Sequence, residues 1–576
     1  MTLNYGVRYD VELTEQIEPV GFTDPLTGIR FSADDVRAAQ AALGVRQGIP
    51  RDKNNIAPRL GIAWDVEGNG ATVLRAAIGL FYDKPLQAIA FNSDIADAAQ
   101  QQQLVLLPGS PAPTALLNAT QVFQGTVCAQ ASPSPICPPG LQTPGVARTA
   151  QYQFGRQRFN DQTFTGFGPV LPFTLPIAAD FEYAYATQAN LALERRLSDN
   201  MALSVSYLFV GTRHLPRPLD VNAPFVDLQI ENFRRYANRL PTNTTEVALA
   251  TAGLFPTTAP GSTFANPLTG ETFVVILPGI IVQGPRGRVI SPAIANFFRP
   301  SGPNYFLAAA VSGGAITKAV LDSQLAGTLR SPGVLAPYGS VNAQVSNGNS
   351  NYNGMNVELR RRFANNFQFL ASYTWSHTID DSSDLQTLLL PQDNRNLRAE
   401  RSDSLFDQRH RFVFSGVLTS PPAWRNGTGA QRFFADFIIA PIIEISSGRP
   451  FNILTGFDTN NDQSNQTDRP NVLPDGRLVV PPPFSTGSLG RNRGITHSYA
   501  SVDLRVTRAI RFGERVRLDI IAEGFNLFNR FNEAAASPFF QDVNAFGQRG
   551  PGGRYYSRPT AAYDPRQFQF GLKLNF

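Results

Sequence analysis

Apolar and polar residues alternate along much of this chain. In the first thirteen positions Leu3, Tyr5, Val7, Tyr9, Val11 and Leu13 interleave with Thr2, Asn4, Gly6, Arg8, Asp10 and Glu12. Period two places all the first set on one face of a β-strand and all the second on the other. The same pattern recurs in pairs. Residues 58–65 lead through Glu67–Gly70 into 72–83. Residues 183–197 turn at Ser198–Asn200 into 201–211. Residues 352–363 turn at Ala364–Asn366 into 367–377. Residues 408–419 connect through a Pro/Gly-rich stretch to 433–446, and 499–510 turn at 512–514 into 515–528. A last strand is expected over 566–576. The pattern therefore predicts twelve strands.

The connections alternate in length. One set is a few residues with Gly, Asn or Asp, as tight hairpins require. The other set is long: 14–55, 84–180, 213–351, 379–407, 448–498 and 530–565. Short turns at one end and long loops at the other are the plan of an outer-membrane barrel. A sandwich or propeller offers no reason for every second loop to be large. The reading is all-β: an antiparallel up-and-down barrel with extracellular loops. One loop segment, SADDVRAAQAALG, reads as a short helix with Ser32 as cap, Asp35 three residues later and Gly44 as terminator.

Composition supports a membrane wall made of strands. Charged residues are 16% of the 576, against roughly a quarter in soluble proteins. Gly 47 and Pro 44 favour turns. No apolar run reaches the roughly eighteen residues that a membrane helix needs. A closed barrel crosses the bilayer without one, because strand pairing satisfies the backbone. The net charge is +5, and the arginines are scattered rather than striped, so no nucleic-acid partner is expected. Aromatics such as Tyr82, Tyr207, Tyr373 and Trp375 fall near strand ends, where interfacial girdles sit.

Three groups of residues carry candidate chemistry. Cys128 and Cys137 are the only cysteines. An exported chain favours a disulfide between them, the alternative being two free thiols. Asp458, Asn460 and Asp462 alternate in a loop and offer oxygens to calcium. Gln463 and Arg469 stand where an EF-hand needs Gly and Glu, so the loop is not one; a polar surface loop is the plainer reading. His377, Asp380 and Asp381 close one strand while Asp407 and His410 open the next, so the five should meet at the outer rim. No nucleophile motif or tight metal spacing accompanies them, and ordinary rim polarity is expected. No cofactor is expected beyond that possible calcium.

The final segment QFGLKLNF resembles the carboxyl-terminal assembly signal of outer-membrane barrels, carried here by Gln569, Gly571, Leu574 and Phe576. Further segments are similar to the Oar-like branch of TonB-dependent receptors. They are NNIAPRLGIAWD (54–65), VLRAAIGLFYD (73–83), FDQRHRFVFSG (406–416), SSGRPFNI (446–453) and AEGFNLFNRFN (522–532). The resemblance covers most strands and fewest of the long loops. It implies a 22-stranded barrel with an internal plug, of which residues 1–576 would be the carboxyl-terminal part, with plug and amino-terminal domains lying elsewhere.

The resemblance further implies an outer-membrane transporter or receptor for a large ligand. Its partners would be outer-membrane lipid, the barrel assembly machinery, a periplasmic energy coupler and the ligand itself. Two other readings remain open: a complete twelve-stranded barrel with hydrolase chemistry at its rim, and a barrel-anchored adhesive or structural protein. MTLNYGVRYDVEL has no signal-peptide pattern, so an upstream segment is expected. Twelve strands of a wide barrel are expected to leave an open sheet rather than close into a narrow barrel.

Overall fold

The computed structural model describes residues 1–11, 19, 22–23, 30–46, 48, 52–83, 176–251, 255–292, 295–301, 323–329, 341–383, 390–456, 458–462, 464, 467–513, 515–540 and 559–576. Twelve of its strands form one continuous wall, each bonded to its neighbours in chain order. They are β1 (Thr2–Asp10), β2 (Asn55–Asp65), β3 (Thr72–Tyr82), β4 (Tyr185–Ser198), β5 (Met201–Asp220) and β6 (Asn342–Ala364). Then come β7 (Phe367–Asp380), β8 (His410–Thr419), β9 (Phe437–Ser446), β10 (Tyr499–Phe512), β11 (Val516–Phe525) and β12 (Gln567–Asn575). Every pairing along the wall is antiparallel.

The short turns are built from the residues that tight hairpins demand. Between β2 and β3 the Asp65 carboxylate accepts hydrogen bonds from the amides of Gly68 (3.0 Å) and Gly70 (2.8 Å). Between β6 and β7 the two central residues, Asn365 and Asn366, both have positive φ, 51° and 62°. That is the conformation whose twist matches a hairpin, and asparagine tolerates it. The β8–β9 connection is longer than a hairpin: it holds 3₁₀ and helical turns over Pro422–Asn426 and Ala430–Phe433. Phe433 therefore ends a turn of helix instead of opening β9. A chain with Pro421, Pro422 and Gly427 cannot extend a ladder directly.

Among the described residues the wall is one layer thick and nothing packs on its apolar face. Leu3, Tyr5, Val7 and Tyr9 of β1 are 54–83% exposed, and Phe568, Phe570, Leu572 and Leu574 of β12 are 56–78% exposed. Such a row in water would be unfavourable; against acyl chains it is the stable arrangement. Among the described residues β1 bonds only β2 and β12 only β11. The sheet formed by these residues is therefore open at both edges.

The hydrophobic clusters lie in the long connections, not under the wall. The connection between β5 and β6, expected as a plain loop, is a folded unit. It carries α2 (Val226–Ala237) and α3 (Thr244–Thr251), with α1 (Ala33–Leu43) in an earlier loop. It also carries a four-stranded sheet of Thr263–Ala265, Thr272–Leu277, Ile281–Gly284 and Gly287–Ile290. Phe233, Tyr236, Phe255, Phe273, Val282 and Val289 form one core. Ile281, Ile290, Phe297, Phe298 and Leu325 form another. The Asn232 side chain ties α2 to the sheet, donating to the Ile290 carbonyl (2.8 Å) and accepting from the Ile290 amide (3.0 Å). Burying that much aromatic surface offsets the entropy of ordering a connection of this length.

Strands β5 and β6 outrun their neighbours. The expected ends were 211 and 352; the observed hairpin continues to Asp220 and begins at Asn342. A membrane strand needs only about 9–11 residues, so the outer half of this pair projects beyond the bilayer. Two register shifts interrupt it, between Val345 and Gly348 and between Gly348 and Ser350. Glycine is required at the bulge: a Cβ on Gly348 would stand 2.7 Å from the Leu215 carbonyl oxygen. α1 matches its expected start and stop. The Ser32 side chain accepts from the Asp35 amide, Asp35 bonds back to Ser32, and Gly44 closes the helix in the left-handed region.

Candidate functional site

Chemistry-bearing residues gather at the end of the wall that carries the long connections. β7 pairs β8 with Trp375 opposite His410; the five rim residues lie at this end of the wall, but each is engaged by a separate partner and they do not form one cluster. The Asp407 carboxylate accepts the Thr378 amide (2.7 Å), and Asp381 accepts the Asn349 amide (3.0 Å). His377 Nε2 lies 2.9 Å from Asp403 Oδ1, and His410 Nδ1 lies 2.9 Å from the Tyr373 hydroxyl. Both imidazoles are thus held by local partners, and their polar neighbours cap strand ends.

Behind the rim runs a buried network that the sequence reading did not contain. Arg469 donates to both Glu400 oxygens (3.0 and 2.8 Å), with both side chains 4% exposed. Arg491 donates to the Glu400 carbonyl (2.8 Å), the Ser383 hydroxyl (2.8 Å), the Asp380 carbonyl (2.7 Å) and the Asp380 carboxylate. Arg299 pairs Asp220 (3.3 Å) and donates to the Asn222 carbonyl (2.7 Å). Arg469 and Arg491 join the β7–β8 and β9–β10 connections into one cap, and Arg299 braces the base of the β5–β6 connection. The planar five-donor guanidinium suits that task, because it meets several backbone and carboxylate oxygens at once. Spacing in sequence held no sign of it, since the partners are tens of residues apart.

The acidic loop lies inside this cap. The Asp468 carboxylate, fully buried, accepts from the Thr459 hydroxyl (3.1 Å) and Asn460 amide (3.4 Å) through Oδ2, while Oδ1 has no hydrogen-bond partner among the described residues. Asp462 accepts the Ser464 amide (2.8 Å) and the Asn460 side-chain amide (3.1 Å); Asp458 accepts the Asp462 amide (3.2 Å). Burial, reinforced by the charge of Asp458, pushes Asp462 up to about 8. Burial likewise pushes Asp468 up to about 7, against hydrogen bonds from Thr459 that lower it. The loop is therefore not the exposed polar surface of the plainer reading: Asn460 is 4% exposed and its amide also donates to the Gln392 carbonyl (2.7 Å). Among the described residues no three His, Cys, Asp or Glu side chains stand together as a metal site.

The remaining expectations fall at the ends of the chain and in a loop. Gln569, Gly571 and Leu574 lie on β12 opposite Glu523, Ile521 and Leu518, and Phe576 is 97% exposed beyond the strand. Cys128 and Cys137 lie outside the described residues.

No curated protein matches the chain. Among solved structures it is similar to the outer membrane transporter YddB from Escherichia coli, at 8% identity and a TM-score of 0.37, covering 91% of this chain and 41% of that one. It is also similar to the ferric enterobactin receptor PfeA of Pseudomonas aeruginosa, at 11% identity and a TM-score of 0.35, covering 91% and 41%. The FrpB iron transporter from Neisseria meningitidis is a third, at 8% identity and a TM-score of 0.34, covering 90% and 39%. The chain thus spans about two fifths of the length of these structures. The outer membrane beta barrel domain family matches residues 1–569, nearly the whole length over which the twelve-stranded wall runs, and the chain belongs to that family of the cell outer membrane.

Proposed function

We propose that residues 1–576 form the carboxyl-terminal barrel portion of a TonB-dependent receptor, which takes up a ligand too large for a porin. The observation that carries this reading is the pairing of a twelve-stranded wall, open at β1 and β12, with a densely bonded extracellular cap. Open edges suit a segment of a wider barrel, since unpaired backbone facing lipid costs several kcal/mol per group. An ordered cap suits ligand capture from outside. The Oar-like segments add the family, and with it a plug, a periplasmic energy coupler and the barrel assembly machinery as partners. Rim hydrolysis finds less support, because His377 and His410 are engaged by Asp403 and Tyr373 and lack a neighbouring activated nucleophile among the described residues.

The test compares solute depletion from a complex medium by wild-type cells and by cells lacking the full gene, with and without a protonophore. The reading expects at least one large solute whose loss needs both the gene and the proton gradient. Depletion that is unchanged by the deletion, or unaffected by the protonophore, overturns it. Loss of cell adhesion with unaltered uptake would favour the anchoring role instead.

A further inference from the structure

Most buried arginines of the cap are neutralised, but one is not. Arg217, near the outer end of β5, is 2% exposed. Among the described residues no carboxylate lies within ion-pair distance of it, although Glu400 and Asp381 attract it from farther away, and its buried Nε has no hydrogen-bond partner. It contrasts with Arg299, Arg469 and Arg491, each bonded to an acid. A buried guanidinium without a direct partner is costly, and a chain keeps one where something else can bond to it.

Arg217 lines a cavity of about 620 Å³ together with Arg213, Arg398 and Arg401. Among the described residues the one acid in that lining is Asp381, engaged by Arg401 (3.0 Å) and by the Asn349 amide. Arg213 is held in place by the Thr212 carbonyl (2.8 Å) and the Asn351 side chain (3.2 Å). Asn347 and Asn349 add polar lining. Four guanidinium groups and one carboxylate line this concave space, and Glu400 reaches Arg217 only from outside the lining, so its wall is positive. The projection of β5 and β6 beyond their neighbours, with the Gly348 bulge, carries Arg217 past the membrane-spanning part and under the cap.

We propose that this cavity binds an oxyanion, a phosphoryl or carboxylate group, with Arg217 as its buried anchor and Arg213, Arg398 and Arg401 around it. The guanidinium fork meets two oxygens of either group at once. Two sources offer that chemistry: a soluble anionic ligand, and the phosphorylated headgroup of an outer-leaflet lipid. The proposal supplies a charge class for the ligand of the receptor reading, yet anion binding is measured without uptake, so either can fail alone.

The experiment uses the full chain in neutral detergent at low ionic strength. One arm titrates sodium phosphate and sodium citrate by calorimetry. The other adds phosphatidic acid, with phosphatidylcholine as control, and follows bound lipid by native mass spectrometry. At least one anionic probe is expected to bind, weakening as salt is raised. Arg217→Met should weaken it tenfold or more and Arg398→Gln, on the exposed rim, about threefold. Citrate or phosphate binding assigns the site to a soluble ligand, and binding of phosphatidic acid alone assigns it to lipid. Arg217→Met should melt no earlier than wild type, since it removes a buried charge that has no direct partner; a purely structural arginine would cost stability. No binding of any probe by the wild type, or equal binding by Arg217→Met, overturns the proposal.

Discussion

Replacing Glu400 by alanine should open the extracellular cap while leaving the barrel wall intact. Glu400 is 3% exposed. Its carboxylate accepts both guanidinium nitrogens of Arg469 and the Gln392 amide (3.1 Å). Removing one partner of a buried pair leaves the other charge uncompensated, which costs about 3–5 kcal/mol. Since 1.36 kcal/mol is a factor of ten, local opening should rise roughly 10²- to 10⁴-fold. Hydrogen exchange followed by mass spectrometry reads this directly. Amides such as Thr455, bonded to the Asp468 carbonyl (2.8 Å), and Leu489, bonded to the Pro470 carbonyl (3.0 Å), should lose protection. Those of β8 and β9 should not, because the wall is held by its own ladder. The double variant Glu400→Ala, Arg469→Met should regain much of the loss, having no stranded charge. Protection of the cap within threefold of wild type, or equal loss in the wall, would refute the reasoning.

Three further outcomes follow from other parts of the chain. Phe576→Asp should reduce the heat-modifiable barrel found in membranes, by spoiling the terminal signal that Gln569, Gly571, Leu574 and Phe576 resemble; unchanged barrel levels count against that role. Cys128 and Cys137 should resist thiol labelling in the exported protein until reductant is added, and full labelling without reductant rules out the bridge. Protection of residues 455–470 should fall as pH rises from about 4 towards 8. Asp462 and Asp468 are raised to about 8 and about 7 in the folded cap, so the folded state holds protons that the unfolded loop has released by then. A profile that rises over this range contradicts the assignment, and calcium at pH 8 should restore protection if Asp458, Asn460 and Asp462 take a cation.

The wall was legible residue by residue because a membrane strand solves a local problem. Alternation in Leu3–Tyr9 or Phe568–Leu574 must match lipid on one face whatever the rest of the chain does, and Asn365–Asn366 or Asp65–Gly70 must turn where they stand. The helix at Ala33–Leu43 was readable for the same reason: Ser32, Asp35 and Gly44 act within a few residues of one another. Strand ends were less legible, since β5 and β6 continue past the bilayer through bulges whose need is set by the Gly348–Leu215 approach.

The cap was decided by tertiary structure. Thr272–Leu277 is a short apolar run with no face marked out in sequence, and Phe273 becomes core only when α2 supplies Phe233 and Tyr236. Glu400, Arg469 and Arg491 are unremarkable charges in sequence, and only folding places them together in a low dielectric where pairing becomes obligatory. The same holds for the unpaired Arg217 and for the raised Asp462. Period and turn chemistry are short-range properties and can be read from a string. Burial of a charge, and the partner it then has or lacks, depends on which distant segments fold over it.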